Sequence, residues 1–111
     1  MMIETTVLDY LSSVLPEPCS LEVPERPPAR FVVLEKTGSS RKNFINTATF
    51  SVQSYAPSLF EAAELNERVK TAMDELVLLP DIFSAKLDSD YNFTDTATKQ
   101  YRYQAVYNIT Y

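Results

Sequence analysis

The sequence contains no histidine, no tryptophan, one cysteine and one glycine in 111 residues. Without histidine it lacks the commonest general acid/base and the commonest metal ligand. Nucleophilic catalysis then needs a serine or cysteine activated by lysine or a carboxylate, and nothing marks Ser39, Ser40 or Lys42 for that role. A single glycine rules out a glycine-rich phosphate loop. One thiol, Cys19, makes no internal disulfide, so an oxidising compartment is not required; it lies between Pro18 and Ser20 with no activating neighbour. The start of the chain has neither a basic segment nor a long apolar run, so no signal peptide is expected. No stretch approaches the ~20 apolar residues that span a bilayer. Net charge is −5, the wrong sign for neutralising DNA phosphates. No enzymatic activity, cofactor, nucleic-acid ligand or membrane partner is expected.

What remains suits one folded domain over residues 1–111. The hydrophobic fraction is 45% and the charged fraction 23%, with seven Tyr and six Phe, enough for one core.

Residues 4–15 predict a short helix with Val7, Tyr10, Leu11, Val14 and Leu15 on one face, Thr5 or Thr6 as cap and Pro16 as stop. Five prolines between Pro16 and Pro28 make a semi-rigid connector, in which residues 20–23 have room for a short edge strand. Residues 29–37 read as a strand. Gly38, Ser39, Ser40, Arg41, Lys42 and Asn43 read as a polar hairpin loop, mobile when free because it has no apolar anchor. Residues 44–55 form the return strand, Ala48, Phe50 and Val52 on one face and Thr47, Thr49, Ser51 and Gln53 on the other.

The main helix is predicted over 58–79. Ser58 and Glu61 fit a capping box, Ala62, Leu65, Val69, Ala72, Met73 and Leu76 form the apolar stripe, and Pro80 ends it. A strand follows within 82–91, then a polar turn. A strand over 100–111 has Tyr101, Tyr103, Ala105, Tyr107, Ile109 and Tyr111 on one face. That tyrosine stripe reads as a sheet face under helices, not a stacking platform for bases or sugars. The predicted fold class is α+β: an antiparallel or mixed sheet of four to five strands with one long and one short helix on one face.

Two clusters invite a chemical reading. Asp88, Asp90 and Asn92 place oxygens as in the start of a calcium loop, but Phe93 occupies the turn position that needs glycine and Lys99 the position of the bidentate carboxylate. The Gly38–Asn43 segment carries Arg41 and Lys42, the only adjacent basic pair on an acidic chain, and is the candidate contact segment for an acidic partner surface.

Several stretches in order along the chain resemble the tail-terminator, or tail-completion, proteins of long, non-contractile-tailed bacteriophages and prophages. They are Leu21, Glu22, Val23 and Pro24 with Arg26 and Pro27; Phe31, Val32 and Val33; Val52 through Ala56, running through Ser58 into Glu61, Ala62, Ala63, Glu64 and Leu65; and Tyr101 through Tyr107. The family's hairpin often contains glycines, where this chain has only Gly38. The resemblance implies a structural subunit that forms a ring with copies of itself, commonly a hexamer. Such a ring caps the tail tube protein, ends tube polymerisation and offers a surface to the head–tail connector protein. It implies a protein assembled in the bacterial host cytoplasm and carried in the virion's tail or neck. Two other readings are another neck component, such as a head-completion or adaptor protein, and a stand-alone small binding domain.

Overall fold

A computed structural model describes residues 2–111. In chain order the elements are α1 (Ile3–Val14), β1 (Cys19–Ser20), β2 (Phe31–Lys42), β3 (Ile45–Ala56), α2 (Leu59–Asp74), a 3₁₀ stretch Glu75–Leu78, β4 (Ser84–Asn92) and β5 (Tyr101–Thr110). The five strands form one sheet in the order β1-β2-β3-β5-β4. Only the β1–β2 pair is parallel. This is the mixed-sheet α+β class that the sequence predicts. A 12-residue strand spans about 40 Å, so β2 and β3 account for the molecule's 44 Å long axis.

The alternation in the sequence sorts the two faces of the sheet. Val32, Leu34, Ala48, Phe50, Val52, Ala105, Tyr107 and Ile109 form one core with the helices. All six predicted stripe positions are buried, from Ala62 on α2 to Leu76 in the 3₁₀ stretch. The helix begins as expected: Ser58 Oγ accepts from Glu61 N at 3.2 Å. The Glu61 carboxylate accepts from the Ser58 hydroxyl at 3.0 Å, not from the backbone N–H that a full capping box uses, and it also pairs with Arg30.

The buried face of α1 is the predicted one at Val7, Leu11 and Leu15, with Tyr10 partly buried against the core, and departs from it at two positions. Ile3, Val7 and Leu11, spaced by four, carry it; Val14 is turned outward, 49% exposed. Tyr10 reaches α2, its hydroxyl donating to Ala72 O at 2.7 Å. Neither Thr5 nor Thr6 caps this helix: the N-cap position is Met2, without a side-chain bond. Thr6 lies inside the first turn, and its hydroxyl points back to Met2 O.

The opposite face of the sheet has its own hydrogen-bonded lattice. Phe31 and Tyr55 stack at 4.4 Å. Gln53 donates to Gln104 at 2.8 Å, and Tyr55 donates to Gln53 at 3.0 Å. Arg102 lies over Phe93 at 4.5 Å and donates to the Tyr55 hydroxyl at 3.1 Å. These aromatic rings and amides are already engaged with one another. Of the tyrosine stripe, Tyr107 is fully buried, and it donates to Asp74 at 2.9 Å; Tyr101, Tyr103 and Tyr111 sit at the half-buried rim.

Candidate assembly interface

The candidate segment Gly38, Ser39, Ser40, Arg41, Lys42 and Asn43 is not a loop. Gly38 through Lys42 continue β2, paired residue by residue with β3 from Gly38 opposite Thr49 to Lys42 opposite Ile45. The expectation of an unanchored loop overlooked the turn. Asn43 and Phe44 alone reverse the chain, with φ of 51° and 65°, the left-handed pair that a two-residue hairpin needs to match the strand twist. A turn that short gives every residue from 38 to 42 a cross-strand partner. Ladder hydrogen bonds then offset the ordering entropy that an isolated polar loop could not. The register shifts between Lys36 and Gly38, a bulge of the kind that bends a strand and increases its twist. Gly38 lacks a positive φ and has open space where a Cβ would go, so the strand does not require glycine there.

β1 covers only Val32 and Val33 of β2. Beyond them the outer edge of β2 is unpaired, and at the other side of the sheet so is the outer edge of β4. Unpaired edges are templates for strand addition unless something blunts them. Both edges here carry charges and a bulge, the second between Leu87 and Ser89.

Arg41 and Lys42 make no ion pair among the described residues, whereas Arg30, Lys36, Arg68 and Lys70 are all paired with carboxylates. Arg41 stands 5.7 Å from the centre of the Phe44 ring. Phe44 is 87% exposed and Ile45 54%. The tip therefore combines two unpaired cations with two bare apolar side chains. In the sequence Phe44 opens a strand and carries no mark of its own. The signal was available in Asn43, a residue that tolerates positive φ and marks a two-residue turn.

The surface also carries two clefts. One, of about 400 Å³, is lined by Asn46, Asp81, Phe83 and Tyr111 at the hairpin end; there Asn46 and Tyr111 exchange backbone hydrogen bonds. The other, of about 290 Å³, runs between α1 and α2 and is lined by Tyr10, Val14, Leu15, Pro16, Ala72 and Glu75, among others.

The remaining sequence candidates are placed elsewhere. Asp90 faces α2, accepting from Lys70 at 3.0 Å and Asn66 at 2.9 Å. Lys70 first, with Asn66 adding to it, holds the Asp90 carboxyl below its ordinary range. Asp88 lies in the β4 bulge, and Asn92 accepts from Thr94 within the following turn. Asp88, Asp90 and Asn92 therefore do not converge on one point. Burial pushes the Cys19 thiol up to about 11, which makes it a poor nucleophile at neutral pH. No helix among the described residues is long and apolar enough to cross a membrane.

No protein-family model matches the chain, and no curated protein sequence matches it significantly.

Proposed function

We propose that this chain is a non-enzymatic structural subunit of a long, non-contractile bacteriophage tail. It forms a ring, expected to be a hexamer, on the last ring of the tail tube. There it stops polymerisation and presents a surface to the head–tail connector. It assembles in the host cytoplasm and leaves in the virion.

The observation that carries this reading is the resemblance to tail terminators, which runs in order through the connector, the strands and the start of the main helix. The shape of the molecule is compatible with it. A closed ring needs two different surfaces on each subunit that fit each other, and this subunit has a hairpin end unlike its helical flank. The net charge of −5 suits a subunit that associates reversibly and docks firmly only on a preformed tube end.

Electron microscopy of particles made without this protein tests the proposal. Headless tails of uncontrolled length are expected. Heads joined to tails of normal length would overturn it. Addition of the purified protein to growing tail tube distinguishes a terminator from another neck component: the terminator stops elongation, the adaptor does not.

A further inference from the structure

Phe44 occupies a position where a bulky side chain carries a backbone cost. At φ 65° an L-residue brings Cβ against its own backbone, and the second position of this turn type favours glycine. Strain of this kind persists where a function holds it. The side chain makes no core contact that would offset it, being 87% exposed at the end of a hydrogen-bonded ribbon. An exposed ring on a rigid turn, flanked by Arg41 and Lys42, has the form of a contact anchor.

The α1–α2 groove has the complementary form. Its 290 Å³ is ample for one phenyl ring, since an apolar cavity of roughly 150 Å³ holds benzene. Tyr10, Val14, Leu15, Pro16 and Ala72 supply apolar walls, with Val14 left 49% exposed. Glu75 lines the groove, is exposed and makes no ion pair among the described residues. Arg68, also in the lining, is neutralised by two 2.7 Å hydrogen bonds to Glu17. The larger cleft is the poorer receptor. Asn46 belongs both to it and to the hairpin, so a tip docking there would bring two Arg41–Lys42 pairs close together.

We propose that Phe44 anchors a contact between two copies of this chain: its ring seats in the α1–α2 groove of a neighbouring copy, with Arg41 and Lys42 against Glu75. Tip and groove are different surfaces, so the contact is head-to-tail and propagates to a ring or a filament. The proposal deepens the ring reading above and rests on it for the expectation that copies associate.

Sedimentation of the full chain over a range of concentrations tests it, without any tail tube present. Phe44→Gly is expected to melt no lower than wild type, because glycine fits the turn, yet to weaken self-association at least tenfold. Val14→Glu blocks the groove at an exposed position and is expected to do the same. Mixed, the two single variants retain one intact tip and one intact groove and form a 1:1 pair that grows no further. The double change Arg41→Glu with Lys42→Glu weakens association, and adding Glu75→Lys restores it. Wild-type self-association in Phe44→Gly, no pairing in the mixture, or a wild-type chain that stays monomeric would each overturn the contact. Failure of the tube-capping reading is distinguishable: it appears as normal tail length in particles lacking the protein, whatever these variants do in solution.

Discussion

Val69 and Leu65 have no exposed surface and lie beneath α2 against the sheet. Their role as core rather than contact surface was legible from helical spacing alone. An aspartate at either place would be a buried charge with no partner. Val69→Asp is expected to cost about 4 kcal/mol or more, read as a lost or sharply lowered melting transition. A variant that melts like wild type but fails to associate would move this face to an interface. Asn66 escaped that pattern, since an asparagine on the buried face breaks the apolar stripe. Its burial follows from Asp90 on β4 meeting it across the layer, a partner 24 positions away that no local periodicity reports.

At the scale of elements, the hairpin shows most clearly where local reading stops. Residues 38–42 are polar and include the only glycine, which is how loops are composed. They are strand because β3 supplies a partner to each of them. Amide hydrogen exchange should therefore be slowed for the residues of 38–42 whose N–H groups face β3, while Asn43 and Phe44 exchange as an open turn. Uniformly fast exchange across 38–44 would restore the free loop. Reversing Arg41 and Lys42 should leave the melting temperature within a degree or two, since exposed charges seldom move stability by more than ~0.5 kcal/mol. The main helix was more transparent. Ser58, Glu61 and Pro80 mark its limits, and only the conversion of its last turn to 3₁₀ after Asp74 was unannounced.

For the whole molecule, three ion pairs fasten distant segments to α2, Arg30 with Glu61 among them. Arg68 holds Glu17 of the proline-rich connector by two 2.7 Å bonds, and Lys70 holds Asp90 of β4. Hydrogen bonding from Arg68 keeps the Glu17 carboxyl below its ordinary range, and Lys70 does the same for Asp90. A carboxyl depressed on folding stabilises the native state above its unfolded value and loses that contribution as pH falls through the folded one. Lys70 is shifted upward, chiefly by its bond to Asp90, so its share is present below its unfolded value and is lost as pH rises through the folded one. Stability is expected to be flat between about pH 5 and 8, to fall below about pH 4, and to decline again at higher pH because burial keeps the Cys19 thiol from ionising in the folded state. Thermal melts against pH for wild type and for Glu17→Gln with Asp90→Asn check this: the double variant should start less stable and show a shallower acid limb. An acid limb of unchanged slope would place the titrating groups elsewhere.

By itself the sequence determined the class of the fold, the buried faces of α2, β3 and β5, and the start of the main helix. Period-two and period-3.6 burial, caps and prolines are all written in neighbouring residues. Only the tertiary structure decided that 38–42 is strand, that α1 buries Ile3 and not Val14, and that Phe44 stands bare at a strained turn beside two unpaired cations. Each of these depends on which segment lies alongside. Cross-strand pairing can order polar residues that have no apolar anchor of their own, and a helix turns toward whichever neighbour fills the space beneath it.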